Sequence, residues 1–199
     1  MLVLGHGAGA GLEHPWMQRV SRGLVSRGVT VATFDFPYRA QGRKLPDRGD
    51  VLEAALEAAF SDAVAARPLA RAYLVGGKSM GGRIASQTLA KGDALPTRPD
   101  GLICFGYPLH PPGKPDQRRD RHLPAIAQPM LFLHGTRDPF GSPEEMTALA
   151  ARLPSATLEI IDGGDHSLET PRRKGGPAPS FERVLDVAAA WIRARIVPI

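Results

Sequence analysis

Ala72-Tyr73-Leu74-Val75-Gly76-Gly77-Lys78-Ser79-Met80-Gly81-Gly82 is the stretch that decides the fold. Its apolar opening, residues 72–75, predicts a short buried strand. Beyond it Ile84, Ala85, Thr88 and Leu89 recur at helical spacing. Between strand and helix stands Gly77-Lys78-Ser79-Met80-Gly81, a Gly-x-Ser-x-Gly pattern. The pattern alone is weak, but in a strand–turn–helix setting it reads as a nucleophile elbow, a tight turn that lifts a serine Oγ above a parallel sheet. The turn leaves no room for side chains beside the serine, and Gly76, Gly77, Gly81 and Gly82 supply bare backbone there.

Outward from this turn, strand and helix patterns alternate along the chain. Residues 2–4, 29–34, 72–75, 101–105, 129–134 and 156–161 predict strands that are apolar without alternation, as buried parallel strands are. Helices are expected over residues 15–27 and from Asp50, which reads as a cap with Glu53 three residues on and Leu52, Leu56, Phe60 and Val64 along one face. Ser142-Pro143-Glu144-Glu145 is a capping box opening a helix to about Leu153. Phe181, Val184, Leu185, Ala188, Trp191 and Ile192 mark the last helix. Strict alternation predicts an α/β fold, a doubly wound, mostly parallel sheet of about six strands with helices on both faces. The 199 residues are expected to form a single domain, without repeats or a linker.

In such a sheet function lies at the carboxyl ends of the strands, which directs attention to residues 5–14, 35–49, 76–80, 106–128, 135–141 and 162–180. A serine needs an imidazole to take its proton and an acid to hold that imidazole, in the chain order Ser, Asp, His. His134-Gly135-Thr136-Arg137-Asp138-Pro139 follows one late strand, and Asp162-Gly163-Gly164-Asp165-His166-Ser167 the next. Ser79, Asp138 and His166 are therefore the expected catalytic residues, with Asp162 a rival acid. The oxyanion needs two backbone N–H donors, here expected from Met80 and from Ala8 within His6-Gly7-Ala8-Gly9. His6, Gly7, Gly9 and Tyr107 are expected to contact substrate.

Gly5-His6-Gly7-Ala8-Gly9-Ala10, with Asp35 after the second strand, also fits a dinucleotide-binding pattern. That reading requires the glycines to open the helix, whereas Pro15 marks the helix start four residues after Gly11. An oxyanion loop fits better, and no cofactor is expected. His110 and His122 lie in a proline-rich loop without metal-ligand spacing, so no metal site is expected. Lys78 reads as a solvated residue of the elbow.

The net charge of +5 and the isoelectric point near 9.8 raise the question of nucleic acid. The basic residues fall in loops and are not interleaved with aromatics, so no nucleic-acid partner is expected. Three strand-end loops are cation-rich: Arg39, Arg43, Lys44 and Arg48; Lys114, Arg118, Arg119 and Arg121; Arg172, Arg173 and Lys174. Such a rim would attract an anionic substrate or an acidic partner surface. One cysteine permits no internal disulfide, and Cys104 sits in an apolar run as a core residue. The first residues lack a basic region or cleavage site and no run reaches membrane-span length, so a cytoplasmic protein without membrane attachment is expected.

Leu4-Gly5-His6-Gly7-Ala8-Gly9-Ala10-Gly11, Gly76-Gly77-Lys78-Ser79-Met80-Gly81-Gly82-Arg83, Gly106-Tyr107-Pro108-Leu109-His110-Pro111-Pro112-Gly113-Lys114 and Gly135-Thr136-Arg137-Asp138-Pro139-Phe140-Gly141 together resemble the α/β-hydrolase superfamily. More narrowly, they resemble its testis-expressed-protein-30-like branch, related to dienelactone hydrolases and to a scaffold subunit of a histone acetyltransferase complex. The resemblance spans nearly the whole chain. It implies the fold, a Ser-Asp-His hydrolase acting on a small ester or thioester, and no particular substrate. Because some relatives are interaction modules, a catalytically silent fold that binds a protein is the alternative. Superfamily members carry strands before the His-Gly loop, whereas this chain starts inside that strand. Either the sheet is reduced or the start is truncated, and truncation would leave an exposed edge. The connection over residues 106–128 is too short for a cap domain.

Overall fold

In the computed structural model residues 1–92, 95, 97–170 and 179–196 are described. They form six strands, β1 (Leu2–Gly5), β2 (Val31–Phe34), β3 (Leu74–Lys78), β4 (Gly101–Phe105), β5 (Met130–Gly135) and β6 (Ala156–Ile161). The helices are α1 (Pro15–Val25), α2 (Pro37–Ala40), α3 (Gly49–Ala66), α4 (Met80–Ala90), α5 (Pro143–Ala150) and α6 (Pro179–Trp191). All strand pairs are parallel, in the order β2-β1-β3-β4-β5-β6.

Strand periodicity builds two cores. Successive side chains point to opposite faces, so Val3, Val75, Leu102, Cys104, Met130 and Phe132 pack with α3, α4 and α5. Leu2, Leu4, Leu74, Ile103, Phe105, Leu131 and Leu133 pack with α1 and α6 on the other face. The expected helices on both faces are thus present, and Cys104 is a buried free thiol whose burial pushes its pKa up. Among the described residues no helix is long and apolar enough to cross a membrane.

Several boundaries differ from expectation. β3 runs through both glycines to Lys78, because Gly76 and Gly77 pair with Ile103 and Cys104 of β4. Asp50 does not cap α3. The cap position is Arg48, without a side-chain hydrogen bond, and Glu53 is turned inward to an ion pair with Lys91. The helix α2 is one turn long, too short to register as a period. The capping box of α5 forms as read, with Glu145 N donating to Ser142 Oγ at 3.2 Å and Ser142 N to Glu145 Oε2 at 2.8 Å.

The loop over residues 106–128 is a strap clipped to α5, not a domain. His110 N donates to Phe140 O at 3.1 Å. The His110 ring is buried, with Nδ1 2.9 Å from Pro111 O and Nε2 3.1 Å from Glu145 Oε2. Both partners are acceptors, so the doubly protonated ring satisfies both. Burial opposes that charge, but the bonds to Pro111 O and Glu145 outweigh it and hold the His110 pKa above its ordinary value. A raised folded-state value means stabilisation that is complete below the unfolded imidazole's pKa and is lost as pH rises through the folded one. His110→Gln is therefore expected to cost about 1 kcal/mol at about pH 6 and progressively less towards about pH 9. Urea midpoints of both proteins across that range check this; a gap that does not narrow with pH refutes the clip.

Candidate active site

Strand order locates the crevice. From β1 the chain moves to β2 on one side and then returns to β3 on the other, so β1 and β3 flank the change of direction. Loops leaving such neighbouring strand ends diverge and open a cleft. The loop after β1 carries Ala8, and the turn after β3 carries Ser79.

Ser79 adopts φ 51°, ψ −112°, a strained conformation for a residue with a side chain and one that costs about 1–3 kcal/mol. Its N–H donates to Phe105 O at 3.1 Å, and its carbonyl accepts from Arg83 N at 3.0 Å, so β4 and α4 hold it in place. Met80 begins α4, where N–H groups have no intrahelical acceptor. Neither the Met80 nor the Ala8 N–H has an acceptor among the described residues.

The loops after β5 and β6 are tied together before they reach the cleft. Arg137 N donates to Gly164 O at 2.8 Å, and Gly163 N to Thr136 Oγ1 at 2.8 Å. Asp138 Oδ1 accepts from Phe140 N at 2.9 Å, and Oδ2 lies 2.8 Å from His166 Nδ1. His166 Nε2 lies 2.8 Å from Ser79 Oγ. Burial pushes the Asp138 carboxyl up, but the hydrogen bond and charge of His166 outweigh this and keep it below its ordinary value. An ionised carboxylate only accepts, so Nδ1 carries the proton of the neutral ring, Nε2 accepts, and the Ser79 hydroxyl donates. Burial lowers the His166 pKa, with Lys78 and His134 adding to it and Asp138 opposing it. The Phe140 ring lies over the imidazole at 4.2 Å.

The structure thus brings Ser79, Asp138, His166, Met80 and Ala8 together, while Asp162 stays exposed and outside this chain of bonds. Gly7 lines the cleft. His6 is wholly buried instead, with Nδ1 2.8 Å from Gly7 O and Nε2 accepting from Phe36 N at 3.1 Å, so it laces the loops after β1 and β2. Gly9 N is spent on Tyr38 Oη at 3.1 Å. Tyr107, expected at the substrate, is wholly buried against Phe132, and its hydroxyl donates to Arg119 O at 2.7 Å. The chain turns at Gly106 and sends that ring into the core rather than the cleft.

Ser79 opens into a cavity of about 270 Å³ walled by Ala8, Trp16, Met17, Lys78, Phe140 and His166. A larger cavity of about 740 Å³ lies at the amino ends of the strands beside Met1, Thr30 and Ala72. Its described walls hold no histidine, carboxylate, thiol or serine, so size does not locate the chemistry. Trp16, Met17 and Phe140 escaped the sequence reading because their apolar character marks core and cleft alike.

Lys78 is a correction. It is only 8% exposed, and Nζ donates to His166 O at 2.6 Å. Burial brings its pKa down to about 8, against the pull of Asp138 and Asp165. The cationic rim is also altered. Arg43 pairs with Asp47 at 2.6 Å, Arg48 with Asp50 at 3.5 Å, and Arg118 with Asp120 at 2.7 Å. Lys44, Lys114 and Arg121 are exposed, and Arg172, Arg173 and Lys174 lie outside the described residues. Of the two loop histidines, His122 Nε2 lies 2.8 Å from Ser86 Oγ, and His110 forms the clip to Glu145.

Residues 1–195 match the family model described as an alpha/beta hydrolase domain. An esterase from Pyrococcus furiosus is similar with a TM-score of 0.75 at 18% identity, over 98% of this chain and 82% of that one. A dienelactone hydrolase from Anabaena variabilis gives 0.71 at 22% identity, over 98% and 86%. A monoacylglycerol lipase from Paleococcus ferrophilus gives 0.72 at 16% identity, over 98% and 94%. At these identities the likeness to the solved structures is one of fold.

Proposed function

The chain belongs to the alpha/beta hydrolase family, and on that premise we propose that it is a serine hydrolase that cleaves a small ester or thioester through an acyl-enzyme on Ser79. The observation that carries this reading is the continuous chain from Ser79 Oγ through His166 to Asp138, with both links at 2.8 Å.

In this mechanism Ser79 Oγ attacks the acyl carbon as its proton passes to His166 Nε2, and the carbonyl electron pair moves onto oxygen. The N–H groups of Met80 and Ala8 receive that oxyanion. Asp138 fixes the imidazole tautomer and offsets the charge the ring gains. Collapse of the tetrahedral species expels the alcohol or thiol, which takes the proton from His166. Water then repeats the sequence and frees both acid and Ser79. The reaction closes on these residues and water, with no cofactor in it. A cavity of about 270 Å³ is below the usual range for a drug-sized ligand, about 300–1,000 Å³, and suits a short acyl group.

A fluorophosphonate probe tests the proposal, because it phosphonylates only an activated serine. Labelling at Ser79 is expected in the parent protein and absent in Ser79→Ala. Folded parent protein that takes up no label would instead favour the silent, protein-binding alternative.

A further inference from the structure

We propose that Lys78 is a specificity residue, which fits the cavity beside Ser79 to a small acyl group bearing a carboxylate. This rests on the hydrolase reading and narrows its substrate class.

The first argument concerns what surrounds the ammonium. Nζ carries three protons, and His166 O accepts one of them at 2.6 Å. Among the described residues no carboxylate lies within ion-pairing distance of it. The two nearest acids are engaged elsewhere. Asp138 accepts from His166 and Phe140, and Asp165 Oδ1 accepts from Ser167 N at 2.7 Å and Glu169 N at 3.1 Å. The Trp16 ring centroid is 5.8 Å away, near the outer limit of a cation–π contact at about 6 Å. A charge so buried is costly without a partner of opposite sign. Among the described residues walling the cavity, Lys78 is the one lysine or arginine.

The second argument concerns the reaction. Hydrolysis accumulates positive charge on His166, and a cation bonded to the main chain of that same residue opposes this. Asp138 offsets one charge. A substrate carboxylate against Lys78 offsets the other, so the cation aids turnover only of a substrate that brings its own negative charge. Lys78 is also buried, whereas Arg43 and Arg48 of the rim are exposed and paired with acids, so its field is less screened than theirs.

Monoethyl succinate and ethyl butyrate test this, since they differ by a carboxylate in place of a terminal methyl. The parent enzyme is expected to favour the succinate by about tenfold or more in kcat/KM, and Lys78→Met to bring that ratio to about one. Lys78→Gln, which keeps a donor for His166 O without the charge, is expected to behave like Lys78→Met. The ratio is internal to each variant, so a displaced His166 lowers both rates and leaves it unmoved. The preference should also fade above about pH 8, where Lys78, whose nearest carboxylates are Asp138 and Asp165, loses its proton. An unchanged ratio in both variants, with Ser79 still labelled by fluorophosphonate, overturns the role of Lys78 and leaves the hydrolase reading standing. Should Ser79 take no label, ligand-observed NMR on Ser79→Ala decides separately. Monoethyl succinate bound by Ser79→Ala but not by the double variant with Lys78→Gln supports the anion site; equal binding by both removes it.

Discussion

His166→Ala is expected to lower kcat by about a million-fold, the scale on which a serine hydrolase loses its base. Asp138→Asn should cost about ten-thousand-fold, because an amide that donates to Nδ1 imposes the wrong tautomer on the imidazole. Asp162→Asn should be near neutral, since Asp162 is exposed and stands outside the hydrogen-bonded chain. Steady-state rates on one short-chain ester compare all three, and a large loss in Asp162→Asn with little in Asp138→Asn would reverse the assignment of the acid. The same assay has a pH signature. The base works only when neutral, and burial, seconded by Lys78, holds His166 below its ordinary 6.5. The acid limb of kcat/KM is therefore expected to lie below 6.5, and Asp138→Asn should move it further down by removing the charge that opposes the shift.

Gly77→Ala is expected to cost about 3–5 kcal/mol and to abolish labelling at Ser79. A Cβ on Gly77 would come within 2.6 Å of both Gly5 O and Gly82 N. These are backbone atoms of β1 and α4, which cannot swing aside as a side-chain tip can. Relief requires β1, the elbow and α4 to part, which would move the loop carrying Ala8 away from the cavity it shares with Ser79. Gly113→Ala provides the contrast: it sits at positive φ, +70°, but in open space, and should cost about 1 kcal/mol. Urea unfolding of the two variants beside the parent would show this ordering, and equal losses would mean that the crowding at Gly77 is not what limits the elbow.

Much of this architecture is legible without coordinates, and the reasons are physical. Most strands are apolar runs bounded by turn residues, and α1, α3 and α6 each bury a stripe of large apolar side chains. Alternation then forces a parallel sheet, whose carboxyl edge collects Ser79, Asp138 and His166 from three separate loops. What escaped reading depends on contacts between distant segments. Lys78 looks solvated because lysine usually is, and its burial arises only when the His166 loop folds back over β3. Tyr107 follows a strand end, as a substrate contact would, yet the turn at Gly106 directs it inward. His6 belongs to the expected His-Gly pair, but only the arrival of Phe36 N gives its ring a structural role. Asp50 and Glu53 have the spacing of a cap, and Lys91, far along the chain, claims the glutamate.

The sheet that sets the cleft also dictates when the cleft can exist during folding. No two of its strands form a hairpin, so every pairing waits on a crossover, and β1 meets β3 only by joining Leu2 to Leu74. Such non-local pairing slows the search for the native state. Ser79 follows β3 and His166 follows β6, with β4 and β5 between them in the sheet, so their meeting spans 87 residues of chain. A chain that ends before His166 lacks the partner of Ser79 Oγ, so on the hydrolase reading no shorter fragment is expected to take the fluorophosphonate label.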